Sequence, residues 1–267
     1  MDHILNGLFK VLAKIYGLKV EKIDEFQTYH DCVELYKFID SNNQIRGLIY
    51  IDLYARETKR GGAWMDEYTA RCLKENGDIQ VPIAYVACNF MPASNGEPTL
   101  LTHNDVVTLF HEFGHALHHI LTKVDYLPVS GINGVEWDAV ELPSQFMENF
   151  CWHKDGLKLL TKHYQTGESL PEDLFEKLSA SRHFQSAMHM LRQLEFALFD
   201  FKIHLEYDKQ TSNNPQFVLD MIEKVRNEVA VVIPPKYHRF PHSFAHIFAG
   251  GYAAGYFSYK WGGSPIK

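Results

Sequence analysis

The stretch that decides the fold is NDVVTLFHEFGHALHHIL, residues 104–121. Its apolar residues recur at three- and four-residue steps, which is the pattern of a helix with one apolar face. His111 and His115 are one turn apart, so both imidazoles leave the same face and can bind one metal ion. Glu112 lies beside them, where a carboxylate can accept a proton from water that the metal holds. The stretch therefore predicts a helix that carries one Zn²⁺ site. The apolar face comprises Val106, Leu109, Phe110, Phe113, Ala116, Leu117 and Ile120.

A catalytic zinc usually has three protein ligands and one position open to water. The metzincin pattern would need glycine at position 118 and histidine at 121. The chain has His118 and Leu121 there, so that class is excluded. We expect His118, which shares the metal face, to be a hydrogen-bonding neighbour, because a fourth protein ligand would close the site. A glutamate from a later helix is the other common source of the third ligand, and the candidates are Glu136, Glu141 and Glu148.

Glu141 is the preferred third ligand. It opens the segment ELPSQFME, whose proline is tolerated in a first helical turn, so Glu141 lies at or near a helix start. Glu136 follows a flexible, glycine-containing segment in which a ligand would be poorly held. Glu148 and Asp138 are then expected to orient the histidines. The alternative for each of these two is an ordinary solvated or salt-bridged carboxylate.

Composition limits the classes of partner and the compartment. With a net charge of −7 and no run of lysine or arginine, the 267-residue chain does not have the features of a nucleic-acid-binding protein. Its four cysteines are widely spaced without a C-x-x-C pair, which predicts buried thiols in a reducing compartment, the cytoplasm. No signal peptide is expected at the N-terminus. No run of eighteen apolar residues is present, so we expect no membrane partner.

The remaining pattern predicts a mainly helical chain with a small sheet placed before the metal helix. Residues 47–54 and 81–90 are rich in β-branched and aromatic residues and predict strands, and residues 56–64 predict a turn or a strand. The amphipathic helix over 4–15 packs on the core or, as an alternative, lies on a membrane. Further helices are expected over 142–152, over 183–207, from Asn214-Pro215 and from near Ser243. The helix over 183–207 has an apolar stripe of Phe184, Ala187, Met188, Leu191, Leu194 and Leu198.

Longer motifs extend beyond the metal helix. They are HEFGHALHH (111–119), VSGINGVEWDAVELPSQFMENF (129–150), HSFAHIFAGGYAAGYFSYKW (242–261), KRGGAWMDE (59–67) and LLTHNDVVTLFHEFGH (100–115). Together they resemble the zinc-dependent oligopeptidases related to thimet oligopeptidase, and most closely the oligopeptidase A branch. The resemblance implies His111, His115 and Glu141 as zinc ligands and Glu112 as the general base and acid. It also implies a zincin-like metallopeptidase core that hydrolyses short peptides.

The C-terminal motif supplies hydroxyl and imidazole donors. The resemblance implies that His246, Tyr252, Tyr256 and Tyr259 line the site and contact the substrate or the oxyanion. Neutral Tyr O–H and His N–H donors stabilise the negative charge that develops in peptide hydrolysis. The tyrosines are four and three residues apart, so one helix face would present all three. Tyrosines at helical spacing are, as the alternative, simply core residues.

Two further expectations concern substrate contact and completeness. Gly61 and Gly62 are expected to expose edge-strand backbone to an extended peptide. Family members are longer, so we expect residues 1–267 to form a single catalytic domain that lacks their N-terminal helical half and C-terminal helices. Surface exposed in this way favours self-association. The alternative function is a truncated, weakly active or inactive metal-binding remnant that acts by association.

Overall fold

The computed structural model describes residues 1–94, 96–208 and 213–263. Contacts within these residues form two units, each built around its own hydrophobic core. The first unit consists of Met1–Val135 and Leu142–Glu176, and the second consists of Glu136–Glu141 and Lys177–Lys267. The single catalytic domain expected for residues 1–267 stays a prediction.

The first unit contains all of the named strands. They are β1 (Lys19–Ile23), β2 (Glu34–Ile39), β3 (Ile45–Tyr54), β4 (Trp64–Thr69), β5 (Cys72–Leu73), β6 (Ile79–Gln80) and β7 (Ile83–Phe90). Five of them form a mixed sheet in the order β1-β2-β3-β7-β4, and β5 pairs with β6. The central strands β3 and β7 are parallel, whereas β4 runs antiparallel to β7 at one edge. Ile49, Ile51 and Val86 on the central strands are fully buried.

The two strands predicted over 47–54 and 81–90 are confirmed as β3 and β7. β1, β2 and β4 were not predicted. Residues 55–63 contain turns and bends but no strand, so the turn is the alternative found over 56–64, and it leads into β4 at Trp64. The missed strands carry several charged residues, as in KVEKI and WMDEYT, and their faces are half exposed. Such strands lack the continuous apolar run that marks a buried strand.

Helices make up most of the remaining regular structure, as predicted. They are α1 (Asp2–Tyr16), α2 (His103–Ile120), α3 (Leu142–Glu148), α4 (Lys154–Leu160), α5 (Glu172–Ser181), α6 (Ser186–Glu206), α7 (Phe217–Val229), α8 (Phe240–Ser243), α9 (Ala245–Phe248) and α10 (Ser258–Trp261). Leu5, Leu8 and Leu12 of α1 are buried in the core of the first unit. This agrees with the alternative in which the amphipathic helix packs on the core. Among the described residues, no helix is long and apolar enough to cross a membrane.

The metal helix α2 begins at a capping box. The Thr102 side chain accepts a hydrogen bond from the Asp105 amide, and the Asp105 carboxylate accepts one from the Thr102 amide. This exchange satisfies amide groups that would otherwise lack a partner at the helix start. All seven apolar residues predicted to form the buried face of α2 are buried. The helix packs against β3, β4 and β7, so its position is fixed by the sheet.

Two of the four cysteines are less buried than predicted. Cys88 and Cys151 are buried thiols, in agreement with the sequence, but Cys32 and Cys72 are only half-buried. Cys32 lies in the turn before β2 and Cys72 lies in the short strand β5, both away from the centre of the core. All four thiols are free of disulfide bonds.

A buried ion-pair network joins the sheet to the loop over residues 55–63. Asp52 on β3 is 3 % exposed, and Arg56 donates two hydrogen bonds to its carboxylate at 2.7 and 2.8 Å. The Lys59 ammonium contacts the same carboxylate at 2.9 Å and also donates to the main-chain oxygens of Asp52 and Cys88. Burial alone would raise the pKa of Asp52, but the bonds from Arg56, Lys59 and Tyr29 outweigh it and lower that pKa to about 2. The network therefore fixes the loop that leads into β4.

Replacing Lys59 with methionine should lower the free energy of unfolding by about 2–4 kcal/mol, because buried oxygens lose their donor and Asp52 loses a counter-charge. Urea denaturation measures this change. Lys19→Met is the matched control, since the Lys19 side chain is 70 % exposed in its ion pair with Glu21. The control should change stability by less than about 1 kcal/mol. Equal small losses in both variants would contradict a stabilising role for the network.

The second unit is built on α6 and α7. Both helices were predicted, and α7 begins at Phe217, just after the expected Asn214-Pro215 start. The apolar stripe predicted for α6 is wrong, because Phe184 lies before the helix and Met188 and Leu194 on it are exposed. The buried face of α6 instead includes the polar residues Glu195 and Asp200. Glu195 pairs with the buried Arg226 of α7 at 2.9 Å, which satisfies both charges.

The helix predicted from near Ser243 is wrong as a continuous element. The segment forms three short helices, α8, α9 and α10, and residues 249–257 between the last two contain only turns and bends. Gly251 has φ +86° and Ala254 has φ +54°, both in the left-handed region. A right-handed helix cannot pass through such residues, so the tyrosines of this segment do not share one helix face.

Candidate metal centre

α2 brings the two predicted histidine ligands together with the predicted base. The rings of His111 and His115 have their centroids 5.0 Å apart, as expected for residues one helical turn apart. His115 is 7 % exposed and Glu112 is 6 % exposed, whereas His111 is half-buried. The two imidazoles and the carboxylate therefore lie close together on α2, and most other residues of this helix are buried in the core.

The packing of α3 on α2 places the third candidate ligand. A Cβ on Gly114 would come within 2.5 Å of the Pro143 oxygen and the Ser144 Cα, so the glycine allows the two helices to approach closely. Glu141 is joined directly to Leu142, the first residue of α3, so its backbone position follows from this packing. The Glu141 side chain is fully buried.

The ligand atoms of His111, His115 and Glu141 all lie within 4.8 Å of one another. Two imidazoles and one carboxylate are a donor set found in catalytic zinc sites, in which a fourth position is left for water or substrate. The chemistry of the donors and their separation therefore fit a zinc ion. Glu136, the rejected candidate, is an exposed residue.

Glu148 contacts the candidate metal site through His111, as expected. The Nδ1 of His111 lies 2.7 Å from Oε1 of Glu148. A histidine that donates its Nδ1 proton to a carboxylate keeps the lone pair of Nε2 for a metal. Asp138, the other residue expected to orient the histidines, makes no hydrogen bond within the described part of the chain.

His118 is not the hydrogen-bonding neighbour that its place on the helix predicts. Its Nδ1 is buried and has no hydrogen-bond partner among the described residues. Burial also lowers the pKa of His118, so the neutral ring is favoured. The side chain lines a cavity of about 430 Å³, together with Leu117, Val129 and Met147, instead of contacting a ligand.

Replacing Glu148 with glutamine should weaken zinc binding by about 10–100-fold, which is the usual loss when a carboxylate behind a metal-binding histidine is removed. The amide keeps the size of the side chain but no longer supports the charge on the His111 ring. Competition with a chromogenic chelator measures the affinity. Glu172→Gln, which removes an exposed carboxylate paired with Lys154, serves as the matched control. Equal zinc affinity in both variants would assign Glu148 to a merely structural role.

The predicted donors of the C-terminal motif form one aromatic cluster in the second unit. The ring of His246 lies 5.7 to 6.1 Å from those of Tyr252, Tyr256 and Tyr259, and Tyr252 stacks on Tyr259 at 5.1 Å. The turn over 249–257 carries Tyr252 and Tyr256, and it joins α9, which carries His246, to α10, which carries Tyr259. The Tyr252 hydroxyl donates a hydrogen bond to the Glu141 carboxylate.

Burial raises the pKa of two tyrosines of this cluster, Tyr256 and Tyr259. Tyr256 is 8 % exposed, and its burial next to the Glu141 carboxylate raises its pKa to about 12. The same two causes raise the pKa of Tyr259. Both side chains are therefore neutral hydrogen-bond donors at neutral pH. The Tyr256 hydroxyl donates to Oε1 of Gln193 at 3.0 Å.

Gly61 and Gly62 lie before the edge strand β4 and not within it, which corrects the expectation that they expose strand backbone. Both are exposed, and Gly62 has φ +97°, a left-handed value that favours glycine. The Asn89 side chain donates to the main-chain oxygens of Arg60 and Gly62 at 2.8 and 2.7 Å. Edge backbone next to these glycines is supplied by β4, which pairs with β7 alone among the described strands.

The sequence did not single out Trp137 or Asp200. Trp137 packs against Tyr252 with ring centroids 4.7 Å apart. Asp200 is a buried carboxylate that holds the turn of the tyrosine cluster. The VEWDAV motif gave a signal for Trp137, since an aromatic residue stands there beside charged ones. No signal pointed to Asp200, whose partners lie 54 and 56 residues further along the chain.

Comparison with known proteins places these residues in a family. The model of peptidase family M3 matches residues 1–263. Oligopeptidase A of Salmonella typhimurium is 51 % identical over 257 residues, which are 96 % of this chain and 37 % of that protein. Oligopeptidase A of Escherichia coli gives the same values, and a probable cytosolic oligopeptidase A of Arabidopsis thaliana is 43 % identical over 98 % of this chain and 38 % of that protein.

The chain spans somewhat more than a third of the length of these relatives. The resemblance inferred from its motifs is confirmed, since the family match covers nearly every residue. The family match and the mainly helical fold with a small mixed sheet also confirm the predicted zincin-like core. The chain therefore belongs to peptidase family M3.

Proposed function

We propose that this chain is the core of a zinc metallo-endopeptidase that hydrolyses short peptides. The observation that carries the proposal is the grouping of His111, His115 and Glu141 within 4.8 Å, beside Glu112, in a member of peptidase family M3. The substrate class is supported by the relatives, which are named oligopeptidases. A cytoplasmic location is also proposed, supported by the name of the probable cytosolic oligopeptidase A of Arabidopsis thaliana and by cysteines that form no disulfide bond.

His111, His115 and Glu141 would hold one zinc ion per chain. When bound, zinc would acidify water and polarise the scissile carbonyl group. Glu148 contacts Nδ1 of the His111 ring, so Nε2 is the ring atom that would bind the metal. The Tyr252 hydroxyl donates to Glu141 and thereby restrains that carboxylate.

Glu112 is the proposed general base and then the general acid. Its carboxylate accepts the proton of the attacking water and later delivers a proton to the leaving amine. Its neighbours on α2 fix it beside the two histidines, and it is only 6 % exposed. A carboxylate with little access to bulk water exchanges its proton mainly with the reacting groups.

The oxyanion is proposed to be stabilised by the aromatic cluster. Tyr256 is the favoured donor over Tyr259, with His246 assisting, and Tyr252 is proposed to contact the substrate. The Tyr256 hydroxyl donates its one proton to Gln193 in the free protein, so it would turn this proton to the oxyanion when substrate binds. Raised pKa values keep the two donor hydroxyls protonated, as this task requires. The edge of β4, which follows Gly61 and Gly62, is proposed to accept an extended peptide by strand addition, with the two glycines as neighbouring substrate contacts.

The test combines zinc content with peptide turnover. We expect the chain to bind one zinc and to cleave a quenched-fluorescent peptide of about ten residues, with both properties lost in His115→Ala. A full-length relative assayed at equal zinc content gives the reference rate. Turnover that is unchanged in His115→Ala would contradict the proposal. Zinc binding without turnover would favour the remnant that acts by association, and exposed apolar residues on α6, such as Met188 and Leu194, would then support self-association.

A further inference from the structure

The turn over residues 249–257 holds an unusual backbone conformation. Ala254 has φ +54° and Gly251 has φ +86°. A residue other than glycine persists in the left-handed region only where its surroundings hold it there. The turn also carries Tyr252 and Tyr256, so its conformation decides where two hydroxyl groups of the cluster point.

A buried carboxylate on α6 accepts two hydrogen bonds from main-chain amides of this turn. Asp200 is 1 % exposed, and its Oδ1 accepts the Ala254 amide proton at 2.8 Å while its Oδ2 accepts that of Tyr256 at 2.9 Å. His204, one turn further along α6, places Nδ1 at 3.0 Å from Oδ1 of Asp200 and at 2.8 Å from its main-chain oxygen. Both oxygens of one carboxylate thus hold amides two residues apart on either side of Gly255.

The same helix also holds the end of the Tyr256 side chain. Gln193 and Asp200 are seven residues apart on α6, so they lie two turns apart on one face. Gln193 accepts the hydrogen bond of the Tyr256 hydroxyl at 3.0 Å, while Asp200 holds the Tyr256 amide. Tyr256 is therefore held at its backbone and at its hydroxyl by one rigid element. Tyr252 lies in the same turn, two residues before Ala254, and its hydroxyl donates a hydrogen bond to Glu141.

We propose that Asp200 is a positioning residue that fixes the hydroxyl groups of Tyr252 and Tyr256 for the peptidase reaction. This inference rests on the proposed function. Asp200 acts through the turn, because its hydrogen bonds go to main-chain amides and to His204. Charge-assisted bonds to buried amides are among the stronger hydrogen bonds in proteins. They can therefore stabilise the left-handed conformation of this turn.

Asp200→Asn tests the hydrogen bonds from Asp200 to the turn. The substitution hardly changes the volume of the side chain, but the amide keeps only one acceptor oxygen and carries no charge. Hydrogen exchange should become about 10-fold faster or more at the amides of Ala254 and Tyr256, since each charge-assisted bond contributes that much protection. Exchange in the middle of α7 should not change. Asp220→Asn is the matched control, because Asp220 is exposed on α7 and contacts Gln216. The control should leave every one of these amides unchanged.

Kinetics distinguish positioning from mere stabilisation. In Asp200→Asn we expect kcat to fall by about 10–100-fold at matched zinc content with KM changed less than about 3-fold, because misplaced donors act in the transition state. In a Tyr256→Phe background the same substitution should reduce kcat far less, because the two changes remove one function. If Asp200→Asn does not fold, Ala254→Gly in the same chain should restore folding, since glycine adopts the left-handed conformation without strain.

Two results would overturn the inference. Unchanged hydrogen-exchange rates at the amides of Ala254 and Tyr256 in Asp200→Asn would show that Asp200 does not stabilise the turn. Full additivity of the kcat losses in the double variant would show that Asp200 does not act through Tyr256. Exchange is measurable without activity, so a wild-type chain with no turnover would refute the proposed function, while the exchange result still decides whether Asp200 fixes the turn.

Discussion

Glu112→Gln should remove peptide hydrolysis while zinc stays bound. The amide has nearly the size of the carboxylate but cannot accept the proton of the attacking water. Loss of a general base commonly lowers kcat by about 10²–10⁴-fold. The histidines and Glu141 are untouched, so zinc content should match that of the wild type. Turnover of a quenched-fluorescent peptide, with zinc determined by plasma mass spectrometry on the same samples, measures both properties.

Glu136→Gln is the matched control for this substitution. Glu136 is an exposed residue that lies near the ligand-bearing segment in sequence, so its amide should leave both zinc content and kcat unchanged. The same pair of substitutions in a full-length relative provides a second background with a high reference rate. A Glu112→Gln protein that retains near-normal turnover with zinc bound would exclude Glu112 as the base.

Tyr256→Phe should lower kcat by about 10²–10³-fold with a smaller change in KM. A donor to the developing oxyanion stabilises the transition state more than bound substrate, and removing the main donor commonly costs that factor. The phenyl ring keeps the packing of Tyr256 against Phe196 and Phe244 in the second core. Steady-state kinetics on one peptide give both constants.

The other tyrosines separate the possible roles within the cluster. Tyr259→Phe should have a smaller effect on kcat than Tyr256→Phe, and Tyr252→Phe should weaken zinc binding as well, because the Tyr252 hydroxyl contacts Glu141. Tyr237→Phe is the control, since Tyr237 is 80 % exposed. If kcat and KM are unchanged in both Tyr256→Phe and Tyr259→Phe, these tyrosines are core residues and not oxyanion donors.

The metal helix could be predicted because its information is local. The periodicity of α2, the one-turn spacing of His111 and His115 and the capping residues all lie within about twenty positions. Glu141 could be preferred because a proline after it indicated a helix start. The structure adds the reason for its closeness to α2, namely the missing side chain at Gly114, which neither periodicity nor spacing reveals.

The C-terminal segment could not be predicted from its own residues. HSFAHIFAGGYAAGYFSYKW has helical spacing, yet Ala254 is held in the left-handed region by Asp200, 54 residues earlier in the chain. The buried face of α6 could not be predicted for the same reason, because aspartate is rarely fully buried unless it is paired and the partners of Asp200 are distant in sequence. Long-range polar contacts of this kind override local propensity.

Crystals of the zinc-loaded chain, with anomalous diffraction recorded on both sides of the zinc absorption edge, test the metal centre most directly. We expect one anomalous peak bound by His111, His115 and Glu141, with ligand distances of about 2.0–2.2 Å. His111 should keep its contact with Glu148. A peak whose nearest carboxylate is Glu136, with Glu141 turned to solvent, would contradict the assigned ligands, and the absence of any peak on α2 would contradict the metal centre itself.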